Sequence, residues 1–257
     1  MRFITAVDRE RLEKKLAMMI AAQVTRKPDS VLGLATGSSP MNVYKRLVEL
    51  YRQGYVDFSE ASSVNLDEYT GLHPSDPQSY SSYMNQHLFQ HINIQLERTH
   101  IPSSDSACME AECARYEALI QRLGGIDMQL LGIGRNGHIG FNEPSATFPV
   151  ATHVVHLDES TIRSNAQYFE SAEAMPRQAI TVGIGTIMQA RKVVLMAFGE
   201  QKADILQQAF FGQVTPEVPA SILQFHPDVT IVADQAAMQT IVRNSKDHKD
   251  IEDIVTV

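Results

Sequence analysis

The chain has 257 residues, 44% apolar and 20% charged, enough for one large globular core or two small ones. Its formal net charge of −8 offers no global attraction for nucleic acid or an anionic membrane, so an anionic ligand needs a local positive site. No apolar run approaches the ~20 residues that span a bilayer, no secretory h-region opens the sequence, and Cys108 and Cys113 lie too far apart around a helix to pair, so reduced thiols and a cytoplasmic location are expected.

In chain order, MRFITAV reads as a strand, and the pattern near residues 8–23 puts Leu12, Leu16, Met19 and Ile20 on one helix face. VLGLATG (31–37) is the next strand. PMNVYKRLVELYRQG follows as a helix, with Tyr44, Leu47, Val48 and Tyr51 spaced i, i+3, i+4, i+7. ASSVNLDEY (61–69) is a strand, HLFQH holds His87 and His91 among aromatic neighbours as packing residues, and CMEAECARYEALIQRL is helical. Then come the strands IDMQLLGIG (126–134), THVVHLD (152–158), AITVGIG (179–185) and KVVLMAFG (192–199), the helix QKADILQQAFFG and the strand VTIVAD (229–234). This alternation predicts an α/β fold: one parallel sheet covered by helices on both faces, in a single domain over 1–257 with a polar tail from about residue 243. Functional atoms then belong beyond the C-terminal ends of the strands.

Three of those ends are rich in polar residues. After strand 31–35 comes TGSSP, where Ser39 is placed to cap a helix that begins at Pro40. Gly37, Ser38 and Ser39 at a helix start suit a phosphate, although a capped turn explains this loop equally well and the Walker spacing is absent. NLDEYTGL brings Asp67 and Glu68 to a strand exit. Adjacent residues of a strand point to opposite faces, so only one carboxylate enters a given cleft, where it can act as a general base. On that segment alone, solvated or capping acids are the simpler reading.

LLGIGRNGHIGFNEP (130–144) contains G-x-G-x-x-G at Gly132, Gly134 and Gly137, with Asp158 about twenty residues on, as a dinucleotide site requires. What fails is the helix: Gly140, Pro144 and Pro149 preclude the ~10–15-residue crossover helix of a nucleotide-binding βαβ unit. Without a nucleotide, Asn136, His138, Asn142 and Glu143 remain. A loop this rich in glycine can bend His138 against Glu143, and a carboxylate orients an imidazole and fixes its tautomer for proton transfer.

Together these loops, with TVGIGT (181–186), GEQKADIL (199–206) and SILQFHP (221–227), resemble the glucosamine-6-phosphate deaminase (isomerising) family from about residue 3 to residue 235. The resemblance implies a modified Rossmann-type three-layer sandwich shared with ribose-5-phosphate isomerase and 6-phosphogluconolactonase. It implies conversion of D-glucosamine 6-phosphate and water to D-fructose 6-phosphate and ammonia in amino-sugar catabolism, with no metal and no cofactor. Carried over by residue, Asp67 is the base for enolisation, His138 opens the pyranose ring, and Glu143 is its partner. Gly37, Ser38, Ser39 and Lys202 would hold the phosphate.

Two departures from the family pattern stand out. Asn136 replaces an aspartate common in the family, which leaves it an orienting role in ring opening. The family's phosphate-binding arginine falls at Gln167, with Arg163 one helical turn earlier as a substitute. Some members are hexamers activated by N-acetylglucosamine 6-phosphate through basic residues just after FNEP. Here SATFPVATHVVHLD holds no Lys or Arg and the chain stops soon after the core, so a non-allosteric monomer or small homo-oligomer is expected. The partner is a small-molecule sugar phosphate, with neither nucleic acid nor membrane. The alternatives are a deaminase for galactosamine 6-phosphate, a lactonase of the same fold, and a sugar-phosphate-sensing module; the last is disfavoured by a chain that starts directly on a strand and is acidic.

Overall fold

The structure is a computed structural model and describes residues 1–166, 169, 171, 174–244 and 254–256. Its strands are β1 (Arg2–Ala6), β2 (Val31–Leu34), β3 (Ser62–Asn65), β4 (Asp67–Tyr69), β5 (Thr99–His100), β6 (Met128–Gly132), β7 (His153–His156), β8 (Gln178–Thr181), β9 (Val193–Ala197), β10 (Val229–Asp234) and β11 (Ile254–Thr256). The helices are α1 (Arg9–Arg26), α2 (Met41–Arg52), α3 (Tyr80–His87), α4 (Met109–Arg122), α5 (Glu159–Asn165), α6 (Ile184–Met188), α7 (Ala203–Phe211) and α8 (Gln235–Asn244).

Eight strands form the expected parallel sheet, in the order β11-β1-β10-β9-β6-β2-β3-β5. Its central strands are runs such as VVLMA, every residue of which is buried, because helices cover both faces. α1 shows how the sequence writes such a cover. Asp8 accepts the Glu10 N–H at its start, Leu12, Leu16 and Ile20 bury one stripe, and the helix stops before Pro28. α1 packs on α2 and α7 on α8, while α1 and α8 both lie against β1 and β10. The last described residues do not trail away: β11 returns to pair with β1, Ile4 beside Val255.

Alternation did not foretell a second sheet. β4, β8 and β7 pair antiparallel, Asp67 opposite Thr181 and His153 opposite Thr181. ASSVNLDEY is therefore two strands, broken at Leu66, whose N–H still bonds Leu34 of the main sheet while its carbonyl accepts from Val182, just past the end of β8. AITVGIG stops as a strand at Thr181, and Gly183 beyond it has no room for a side chain. A side chain at Gly183 would meet the Ala151 carbonyl oxygen at 2.3 Å, and α6 begins one residue later. The small sheet has its own apolar cluster, with Tyr69, Phe141, Leu157, Ile162, Met175 and Ala179.

The strand order reverses between β2 and β6, which pair through Leu32 with Met128 and Gly33 with Gln129. Ligands of open α/β sheets bind beyond the C-terminal ends of strands at such a switch point. Four neighbouring strands, β9, β6, β2 and β3, end there, and they lead into Lys202, the glycine loop, TGSSP and Asp67 respectively.

Candidate active site

The glycine loop leaves β6 and folds back on itself. Gly134 donates its N–H to the His138 carbonyl at 2.9 Å, and Asn142 closes a tight turn onto Ile139 at 3.2 Å, with Gly140 at φ +59° inside it. The loop is tied to the small sheet, because the Thr181 hydroxyl accepts the Phe141 N–H and the Asn142 amide donates to the carbonyls of Ile139 and Val182. In this turn His138 Nδ1 lies 3.2 Å from Glu143 Oε2. The Asn136 amide donates to the same carboxylate oxygen at 2.7 Å, and its own oxygen accepts the His138 N–H at 3.2 Å. Asn136, His138 and Glu143 thus meet as the sequence led us to expect. Since a carboxylate only accepts, Nδ1 carries the ring proton and Nε2 is left for exchange.

Burial pushes the Glu143 carboxyl pKa up, but hydrogen bonds from His138, Thr161 and Asn136, with the His138 charge, outweigh it and hold the pKa below the usual carboxylate value. Thr161 of α5 supplies one of these bonds, at 2.6 Å to Oε1. Sequence reasoning missed Thr161, because nothing in the chain couples residue 161 to a loop eighteen residues earlier.

The two acids of NLDEY divide as strand geometry requires. Glu68, 1% exposed, turns toward α3 and accepts the N–H groups of Tyr69, Tyr80 and Ser81 at 2.9, 2.9 and 3.0 Å. It is the capping acid. Asp67, 6% exposed, has no hydrogen-bond partner among the described residues, and its Oδ2 is 3.5 Å from where a side chain at Gly140 would start. The carboxylate of β4 and the turn after His138 are therefore neighbours. Burial, and secondarily the charge of Glu68, raises the Asp67 pKa to about 8.

The TGSSP turn departs from expectation in one respect. Pro40, not Ser39, occupies the cap position of α2, and no side chain caps that helix. Ser38 is exposed and Ser39 half-buried, and among the described residues neither hydroxyl has a hydrogen-bond partner, so both stay available to a ligand. Gly37 takes φ +91°, with open space where a side chain would be. Beyond β9, the Lys202 ammonium donates to the Ile133 carbonyl at 2.6 Å. Burial, then the charge of Arg135, lowers its pKa to about 8. The charges of Lys202 and Arg135 repel one another and together give an acidic protein a local positive field. Arg163 is exposed on α5, and Gln167 lies outside the described residues.

A carboxylate, an imidazole–carboxylate pair and a serine-rich turn at one switch point define a site, and comparison with known proteins gives it a lineage. The sequence profile described as glucosamine-6-phosphate isomerases/6-phosphogluconolactonase matches residues 8–232. The chain belongs to this family. A glucosamine-6-phosphate deaminase of Lachnoclostridium phytofermentans is 57% identical over 232 residues, covering 90% of this chain and 98% of that protein. A solved monomeric glucosamine-6-phosphate deaminase superposes with TM-score 0.91 at 43% identity, covering 93% of this chain and all of that one. The 6-phosphogluconolactonase of Leishmania guyanensis, at TM-score 0.72, 19% identity and coverage of 92% and 97%, shares the fold. Among the described residues no helix is long and apolar enough to cross a membrane.

Family membership explains why G-x-G-x-x-G misleads here. A side chain on Gly134 would lie 2.3–2.5 Å from three atoms of the His138 ring, so the glycine clears space for an imidazole rather than a pyrophosphate. One on Gly137 would meet Val218 at 2.8 Å, and the Gly137 carbonyl accepts the Ala220 N–H.

Proposed function

We propose that this chain converts D-glucosamine 6-phosphate and water to D-fructose 6-phosphate and ammonia. The observation that carries the reading is the pairing of a desolvated carboxylate with no partner among the described residues, Asp67, with the His138–Glu143 pair on the neighbouring loop. Isomerisation of an amino sugar needs two proton transfers of different kinds, and these groups suit one each.

His138 takes the proton of the C1 hydroxyl at Nε2 and delivers it to the ring oxygen, which opens the pyranose to an aldehyde. Glu143 steadies the imidazolium formed in passing, and Asn136 orients both. Asp67 then removes the C2 proton, the C2–H electron pair forms the C1=C2 bond, the C1 oxygen takes a proton from the substrate's ammonium group, and an enediol-type intermediate with the nitrogen still on C2 forms. Return of the proton to C1 leaves a C2 imine, to which water adds as ammonia departs. The raised Asp67 pKa fits this role: a carboxylate out of water is a strong base, and the amino group of a bound substrate favours its ionised form. Gly37, Ser38, Ser39 and Lys202 hold the phosphate, aided by Arg163 or Gln167.

The steps are proton transfers, ring opening, water addition and loss of ammonia, none of which changes the overall oxidation level, so the reading calls on no redox cofactor and no metal. It describes a cytoplasmic hydrolase of a C–N bond in N-acetylglucosamine use, working as a monomer or small homo-oligomer without an acetylated-sugar effector. The test follows ammonia and fructose 6-phosphate together, with galactosamine 6-phosphate and 6-phosphogluconolactone as competing substrates and Asp67→Asn and His138→Gln as controls. No product from glucosamine 6-phosphate sinks the assignment; full turnover by Asp67→Asn sinks the mechanism.

A further inference from the structure

The turn that carries Gly37 and Ser38 is held from outside by two phenols. Tyr44 of α2 donates to the Ala35 carbonyl at 2.5 Å, and Tyr83 of α3 donates to the Gly37 carbonyl at 2.7 Å. Tyr44 is completely buried, and the Tyr83 ring packs on His87 at 4.5 Å between centroids, so neither phenol swings freely. In a planar trans peptide the C=O and N–H point in opposite directions. Fixing the Gly37 carbonyl toward α3 therefore turns the Ser38 N–H away from α3, and fixing the Ala35 carbonyl toward α2 does the same for the Thr36 N–H. Both peptide planes of the turn are set before a ligand arrives.

α3 is itself anchored. Its first N–H groups, those of Tyr80 and Ser81, end on the Glu68 carboxylate, one residue along β4 from Asp67. A path of hydrogen bonds joined by the backbone of α3 runs from the strand that holds the proposed base, through Glu68 and Tyr83, to the Gly37 turn.

We infer that Tyr83 is a positioning residue for the substrate phosphate, whose hydroxyl presets the Gly37–Ser38 peptide so that its N–H meets the anion without reorganisation. The inference rests on the proposed phosphate role of Gly37, Ser38, Ser39 and Lys202. A donor fixed in advance strengthens binding because no ordering remains to be done on association. Tyr83 touches no reacting atom, so its effect falls on affinity and spares the chemical step.

Tyr83→Phe keeps the ring and removes the hydroxyl. The expected result is a rise of about three- to tenfold in KM for glucosamine 6-phosphate, the worth of one neutral hydrogen bond, with kcat within twofold. The inhibition constant of inorganic phosphate rises by the same factor, while Tm stays within a few degrees of the parent. Lys202→Met, assayed in parallel, separates the two layers. If Lys202→Met weakens phosphate inhibition and Tyr83→Phe does not, the inference is wrong and the phosphate site stands. If neither does, the phosphate reading fails and the inference with it. A fall in kcat at constant KM in Tyr83→Phe also overturns it, since a positioning group for the phosphate cannot act that way.

Discussion

Replacing Asp67 by Asn is expected to abolish turnover and at the same time to stabilise the fold, by an amount that grows with pH. The Asp67 carboxyl is desolvated and sits beside Glu68, and its pKa stands at about 8 instead of 3.8. In the unfolded chain it titrates near 3.9. Between these values the folded protein keeps a proton that the unfolded chain has released. Stability therefore falls as pH rises through this window, by about 1.4 kcal/mol per pH unit, and levels off above pH ~8. At pH 7 the accumulated cost is on the order of 4 kcal/mol, a large share of the roughly 5–15 kcal/mol that holds a domain together. Asparagine has no proton to keep, so urea unfolding of the two proteins at about pH 5, 6, 7 and 8 isolates this group, the other titrations cancelling in the difference. The Asp67→Asn variant should gain on the parent by about 1.4 kcal/mol per unit up to pH ~7.5, while kcat/KM drops by about a hundredfold or more. A stability difference that is flat with pH would refute the argument, because it would mean that Asp67 is solvated and ordinary in the fold.

The other expectations concern its neighbours. Gly134→Ala drives a methyl to within 2.3–2.5 Å of the His138 ring, so the imidazole must leave Glu143; a loss of about a hundredfold in kcat/KM and about 1–3 kcal/mol in urea unfolding is expected, and parental values in both would refute the packing argument. Asn136→Asp replaces a donor 2.7 Å from Glu143 by a like charge, which should raise the Glu143 pKa; the acid limb of kcat/KM should move up with it, and an unmoved profile would argue that Glu143 does not serve ring opening. Lys202→Met should raise KM about ten- to a hundredfold, the worth of a charge-assisted bond. With the Lys202 pKa lowered to about 8, the parent KM should climb above that pH as the ammonium loses its proton, and the Met variant should lose the climb.

Much of this site was legible because its chemistry lies in contiguous motifs. Asn136, His138 and Glu143 fall within eight residues, and a glycine-rich turn can close only over so short a span. The parallel sheet was legible for a different reason: strands buried on both faces are apolar throughout, as VVLMA is. The second sheet was not, because β7 and β8 carry the same kind of residues as the main strands. The handover between the sheets lies at Leu66, which bonds Leu34 on one side and Val182 on the other, and no residue pattern marks it. Capping failed for a local reason. Pro40 suits the first turn of a helix but occupies the cap itself, and neither serine before it caps the helix. Thr161, Tyr44 and Tyr83 left no signal, since each meets its partner across the tertiary structure and none looks unusual in its own segment.

The adjacent acids of NLDEY show what separates a carboxylate proposed for catalysis from a structural one when composition cannot. Both are buried and both pKa values are raised by burial. Glu68 is offset by three backbone N–H groups, which lower its pKa and fix it to α3. Asp67 receives no such donor among the described residues, and a fold keeps a buried carboxylate without one only where something else makes use of it. The two-residue period of a strand makes the pair possible: a single step along β4 reverses the side-chain direction, so one acid holds α3 while the other, on the proposed reading, is the one that meets the sugar. A one-residue shift in the pairing of β4 with β8 would exchange these duties, which makes the register of Asp67 against Thr181 a condition of the chemistry as much as of the fold.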